Sequence, residues 1–102
     1  MNWRLQIADE VEKDVLEAAA WYDSRQQGLG ERFAEEIINV WDDLAENPLL
    51  NCRWHSIKNI RWRYPKNFPY RVIYEVDETA KVVRIAAVLH AARHDAHWQK
   101  RL

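Results

Sequence analysis

An α+β fold is predicted for residues 1–102, taken as one domain, from three features of the sequence. These are a short alternating stretch at the N-terminus, two segments of helical periodicity joined by a glycine link, and three segments of period two after Pro48. Trp3-Arg-Leu-Gln-Ile7 alternates apolar and polar side chains as a short strand does. Asp9 and Glu12 then have the spacing of a capping box at a helix start. Val11, Val15, Ala18 or Ala19, and Tyr22 recur at helical spacing, and the pattern stops at Gln27-Gly-Leu-Gly30. A second helix is expected from near Glu31, with Phe33, Ile37, Val40 or Trp41, and Leu44 as its apolar stripe. Asn47-Pro48 ends it, because proline cannot continue the hydrogen-bond ladder. So short a link makes the two helices an antiparallel hairpin. Most of the acidic side chains fall on its outer face, where solubility accounts for them.

After Pro48 the period changes. Ile60, Trp62 and Tyr64 alternate with Asn59, Arg61 and Arg63; Tyr70, Val72, Tyr74 and Val76 alternate with Arg71, Ile73 and Glu75. Val83, Ile85, Ala87 and Leu89 alternate with Arg84, Ala86, Val88 and His90. Three strands follow, joined by Pro65-Lys-Asn67 and Asp77-Glu-Thr-Ala-Lys81, both suited to hairpin turns. Side chains on a strand point alternately to opposite faces, so the apolar sets are expected to pack on the helix hairpin. The other sets then share one open face, which would collect Arg61, Arg63, Arg71, Arg84 and His90, with Glu75 as its one acid and Arg93 just beyond the last strand.

Charge is divided along the chain. Residues 1–50 hold four Lys/Arg against twelve Asp/Glu, and residues 51–102 hold eleven against four, within a net charge of only −1. A basic surface on the second half suits nucleic acid or an acidic protein, because clustered cations steer anions and release counterions. The alternative is internal, with acidic and basic elements lying against each other, although exposed ion pairs contribute little. Six Trp, four Tyr and two Phe supply large side chains for one compact core. The single cysteine, Cys52, excludes an intrachain disulfide and is a poor start for a metal site, which fits a reducing cytoplasm. The apolar runs are too short to span a bilayer, and the acidic N-terminal region lacks the apolar stretch of a signal peptide. No membrane partner is expected.

Other chemistries find little support. His90, His94 and His97 have a spacing that one helix could turn to one side, but His90 is placed at the end of a strand and no further ligand completes a metal set. Ser24 and Ser56 lack a nucleophile-elbow context, and both glycines lie in the helix link, so no phosphate-cradling loop exists. No metal or cofactor is expected. Trp98 and Leu102 are read as sealing the edge of the core.

The order of strand, helix hairpin and three strands, with Phe68-Pro-Tyr-Arg-Val-Ile-Tyr74 on the middle strand and Val88-Leu-His-Ala-Ala-Arg93-His-Asp95 after it, resembles the RelE/ParE superfamily of toxins from bacterial type II toxin–antitoxin systems. Ala20-Trp-Tyr22 and Gly28-Leu-Gly-Glu-Arg-Phe33 add to the resemblance, which covers almost the whole chain. It implies a twisted four-stranded antiparallel sheet with two helices on one face, and a cognate antitoxin that wraps and blocks the toxin in a hetero-oligomer. Two activities occur in the superfamily. RelE-like members are mRNA interferases that cut messenger RNA on the ribosome by activating a ribose 2′-hydroxyl, a reaction that needs cations on the phosphate and groups that move protons. On that pattern Arg71 and Arg93 match arginines of the interferase site, Arg61 and Arg63 lie near its basic pair, and His90 is the candidate proton acceptor. The C-terminal tyrosine of that site has no counterpart, and the indole of nearby Trp98 cannot act as a base. ParE-like members poison DNA gyrase and need no hydrolytic site. The Val88-Leu-His90 segment with Asp95 resembles the ParE pattern more closely, so the favoured expectation is a ParE-like gyrase inhibitor of the plasmid-stabilisation type. In it Arg61, Arg63, Arg71, Arg84 and Arg93 seat the antitoxin. A RelE-like endoribonuclease, and a catalytically inactive binding module on the toxin fold, are the alternatives.

Overall fold

The structure, a computed structural model, describes residues 3–55 and 59–92. The chain runs through β1 (Arg4–Ile7), α1 (Asp9–Arg25), α2 (Leu29–Glu46), β2 (Arg53–Trp54), β3 (Ile60–Arg63), β4 (Tyr70–Asp77) and β5 (Val82–His90). The strands form one five-stranded sheet in the order β1-β5-β4-β3-β2. β3, β4 and β5 make the expected antiparallel meander. Two features depart from the expected sheet of four antiparallel strands. The two-residue β2 adds a fifth strand at the β3 edge, and β1 lies parallel to β5 at the other edge. A parallel neighbour needs a long crossover. The helix hairpin provides it by carrying the chain across one face of the sheet before the meander begins.

α1 begins at Asp9 with Ala8 as its cap, and no side chain caps it. Asp9 is thus inside the first turn and the expected capping box does not form. The cause lies in β1's exit, where the Ala8 N–H donates to the Ile85 carbonyl at 3.2 Å and fixes the point at which the helix departs. Asp9, Glu10 and Glu12 still complement the positive end of the helix dipole. α2 starts two residues earlier than expected, from Gly28 in the left-handed region with φ 87°. At Gly30 the two helices approach closely. A Cβ there would fall 2.2 Å from the Ala19 carbonyl oxygen, and the bare N–H donates to Asp23 Oδ1 at 2.8 Å.

The stripes of both helices pack on one side of the sheet. Val11, Phe33, Ile37 and Leu44 meet Val72, Tyr74, Val83 and Ile85, all essentially inaccessible to solvent. Tyr22, Phe33, Phe68 and Tyr70 extend this core as an aromatic group, with Phe33 centroids 5.1 Å from Phe68 and 4.8 Å from Tyr70. A second cluster of Ile60, Ile73, Ala87 and Leu89, with Trp62 against it, occupies the opposite face. This corrects the expected facing of Ile60, Trp62, Ala87 and Leu89, which turn away from the helices. For β5 the reason is a bulge. The register steps from Ile73↔Ala87 to Tyr74↔Ile85, so Ala86 is one residue extra and every side chain after it changes face. Val88 therefore joins the helix-side core, and its N–H, beyond the end of β1, donates to Asp14 Oδ2 of α1 at 3.1 Å.

Candidate functional site

β3 reads Ile60-Arg-Trp-Arg63, and its register with β4 decides where the two arginines point. Residues directly opposed on antiparallel strands share a face. Arg61 opposes Tyr74 and Arg63 opposes Val72, both members of the helix-side core. Arg61 and Arg63 are accordingly on the helix side and not on the open face, with only 7% and 9% of their surfaces exposed. The segment after α2 lies against the β3 side of the sheet. Arg63 Nη2 donates to the carbonyls of Asn47 and Leu50 in that segment. Arg61 lies with its guanidinium carbon 3.9 Å from the Trp54 ring centre and its Nη1 3.5 Å from Cys52 Sγ. Tyr74, directly opposite Arg61, donates its hydroxyl to the Pro48 carbonyl at 2.7 Å. Burial, and then the neighbouring Cys52, push that hydroxyl well above the ordinary tyrosine range, against a smaller opposing effect of Arg63. Among the described residues neither Arg61 nor Arg63 forms an ion pair.

Two of the expected residues do occupy the face away from the helices. Arg71 opposes Leu89, is 6% exposed, and has its guanidinium 5.5 Å from the Trp62 ring centre. Arg84 opposes Glu75 and pairs with it at 3.3 Å, with Asp77 at 3.4 Å, and through Nε with Gln6 Oε1 at 3.1 Å. The Ala80 N–H, followed by Arg84, holds the Asp77 carboxyl below its usual range. Arg84 is thus partly neutralised, and Glu75 is not the sole acid beside it. Arg71 and the residue opposing Arg84 are four positions apart on β4, about 13 Å at the rise of a strand, so these arginines form no cluster.

His90 corrects the expected face again. It opposes Tyr70 on the helix side, with ring centres 5.3 Å apart in an edge-on contact. Its Nδ1 accepts the Ala92 N–H at 3.0 Å, which places the proton of the neutral ring on Nε2. The imidazole borders a groove against α1 that also takes in Glu10, Asp14 and Trp21. Arg71 and His90 therefore sit on opposite faces of the sheet and cannot share one bound phosphate. Arg93 lies outside the described residues, as do Ser56, His94, Asp95, His97, Trp98 and Leu102.

Sequence reasoning overlooked the β2–β3 corner, where Cys52, Trp54, Arg61, Arg63 and Tyr74 meet. The signal that could have found it is the parity of Cys52 and Trp54 in a short polar segment facing Arg61. Two arginines at alternate positions make an unusual strand face, and an aromatic ring and a soft sulfur are the neighbours a buried guanidinium accepts.

Several solved structures of toxin–antitoxin proteins share this architecture. A chain of the RelBE2 toxin–antitoxin complex from Mycobacterium tuberculosis matches with TM-score 0.62 and 15% identity, over 88% of this chain and 99% of that one. One from the chromosomal ParDE system of P. aeruginosa matches with TM-score 0.65 and 11% identity, over 87% and 96%. One from the intact E. coli RelBE complex matches with TM-score 0.63 and 19% identity, over 89% and 99%. At these identities the likeness is one of fold. No curated protein matches the sequence significantly. A family profile described as "ParE toxin of type II toxin-antitoxin system, parDE" matches residues 5–95. With that match over most of its length, and the fold its sequence led us to expect, the chain belongs to the ParE toxin family, within the RelE/ParE superfamily of type II toxin–antitoxin toxins.

Proposed function

We propose that this toxin acts by binding DNA gyrase, in the ParE manner, and does not cut messenger RNA. The observation that carries the reading is the commitment of Arg61 and Arg63 to the fold. Cleaving RNA by way of its 2′-hydroxyl needs cations free to hold the phosphate, next to a group that moves the proton. Here two of the candidate cations are buried against backbone carbonyls, a thiol and an indole. The candidate proton acceptor His90 is across the sheet from Arg71. A gyrase-binding toxin requires no such constellation. Neutralisation by a cognate antitoxin belongs to the same proposal, since the structural relatives include toxin–antitoxin complexes. The hairpin offers that partner the exposed side chains of Leu16, Trp21 and Ile38.

The test is a pair of assays on one preparation. Purified chain is added to a gyrase supercoiling reaction, and to a ribosome-driven translation reaction whose messenger RNA is mapped by primer extension. Inhibited supercoiling with intact messenger RNA is expected. Cuts at codon positions that disappear in an Arg71→Ala, Arg93→Ala double variant would establish the RelE-like reading instead. Inactivity in both assays, together with unimpaired growth on expression, would leave the inactive binding module.

A further inference from the structure

We propose that Cys52 is an oxidation site: a hydroperoxide, with hydrogen peroxide as the simplest, converts its thiol to a sulfenic acid, and Arg61 supplies the positive charge that assists. This assignment is independent of the toxin's target.

Two observations meet at the β2–β3 corner. The first is the sulfur itself. Cys52 is half-buried, its Sγ lies 3.7 Å from the Leu49 carbonyl oxygen and 3.5 Å from Arg61 Nη1, and the neighbouring Leu50 and Trp54 are exposed. The residue packs against the helix-side core yet keeps part of its surface exposed, and a peroxide is small. The second is the lack of an opposite charge beside the two guanidiniums among the described residues. Arg61 and Arg63 are each more than nine-tenths buried, neither faces a carboxylate among the described residues, and the Nε atom of each has no hydrogen-bond partner. Buried charges are ordinarily paired, because desolvation is costly when no opposite charge offsets it. Of the groups touching Arg61, the Trp54 ring offers only its π face, while Cys52 is able to become an anion. Among the described residues, then, a buried cation with no carboxylate beside it is set against the chain's single thiol.

The step follows from that placement. The attacking species is the thiolate, and Arg61 presents a fixed positive charge to it. The sulfur attacks one peroxide oxygen, an S–O bond forms and the O–O bond breaks. The departing hydroxide takes up the proton given up by the thiol and leaves as water. Sulfur loses two electrons and the peroxide oxygens gain them, so thiol and hydrogen peroxide yield sulfenic acid and water. The new oxygen is an acceptor beside the N–H donors of Arg61. The thiol's donation to the Leu49 carbonyl is lost at the same time, in the segment whose Asn47, Pro48 and Leu50 carbonyls accept from Arg63 and Tyr74.

The experiment treats the folded chain with hydrogen peroxide in the presence of a dimedone-type sulfenic acid trap and follows adduct formation by mass spectrometry. With one cysteine in the sequence, every adduct reports Cys52. The reference is a synthetic peptide of residues 49–55. The folded chain is expected to label about tenfold faster than the peptide, as for thiols held beside a cation. Arg61→Met should bring the rate down to that of the peptide, and Arg61→Lys should retain part of the advantage. Labelling of the wild-type chain no faster than the peptide overturns the proposal, and that comparison stands even if Arg61→Met fails to fold. A folded Arg61→Met variant that labels as fast as wild type overturns the role given to Arg61.

Discussion

The β2–β3 corner and the β4–β5 end of the same sheet use arginine in opposite ways. At the β4–β5 end Arg84 is part-exposed, reaching Glu75, Asp77 and Gln6 through side chains that water also solvates. At the corner Arg61 and Arg63 are buried, and carbonyls, a thiol and an indole take the place of carboxylates. Coulomb attraction in a solvated setting is largely cancelled by screening and by the entropy of ordering long side chains. A buried guanidinium has no water to fall back on, so each hydrogen bond it makes counts for more and each it lacks costs more. Charge that looks like a binding surface in sequence can therefore be structural at one end of a sheet and merely solubilising at the other.

The sharpest way to break this contrast is Arg63→Ala. It removes the donor to the Asn47 and Leu50 carbonyls and empties packed volume beside Tyr74, and a loss of about 3 kcal/mol in urea unfolding is expected. A loss below about 1 kcal/mol would mean the segment after α2 is held by other means. Tyr74→Phe comes next, at about 1–2 kcal/mol, because the Pro48 carbonyl loses its buried donor while the ring remains. The same hydroxyl has a pH signature. The unfolded tyrosine ionises near its ordinary value of 10.0, whereas burial keeps the folded one protonated to higher pH. Its contribution is thus complete below pH 10 and falls as pH rises through the folded value. Unfolding measured between pH 9 and 11 should show a steeper alkaline loss in wild type than in Tyr74→Phe.

The hairpin was legible because both kinds of signal agreed there. Phe33, Ile37, Val40 and Leu44 recur at helical spacing, and Gly28 and Pro48 punctuate a pattern that already ends. The three meander strands were legible as strands for the same reason. Their facing was not. Period two says which residues share a face but not which face meets the helices, and Arg61 and Arg63 were assigned outward on the ordinary rule that charge is exposed. The pairing of β3 with Val72 and Tyr74 overrules that rule, a tertiary fact with no local signature. The bulge at Ala86 is equally silent, since Ala86-Ala-Val-Leu89 is apolar in either register. β2 was missed because two residues carry no period, and the parallel pairing of β1 depends on where the hairpin sets the chain down. As for the site, sequence named the arginines but could not say that Arg71 and His90 lie on opposite faces, which β4–β5 pairing decides.

The exposed end of the comparison sharpens it with smaller effects. Arg84→Gln removes the ion pairs to Glu75 and Asp77 but keeps an amide able to hydrogen-bond, and a cost under about 1 kcal/mol is expected in the same urea assay. That cost should shrink further at high salt, whereas the cost of Arg63→Ala should not, because screening reaches the exposed pair and not the buried contacts. Asp77 gives the last and smallest effect. Its carboxyl is held below the usual 3.8 by the Ala80 N–H and then by Arg84, so the stabilisation is present above that value and disappears as pH falls through the lower folded one. Asp77→Asn should flatten the acid limb of the stability profile slightly below pH 4 while leaving the alkaline limb, to which Tyr74 and Tyr22 contribute, unchanged. Should Asp77→Asn instead cost as much as Arg63→Ala, the turn from Asp77 to Val82 would prove as structural as the buried corner, and exposure would no longer separate the two ends of the sheet.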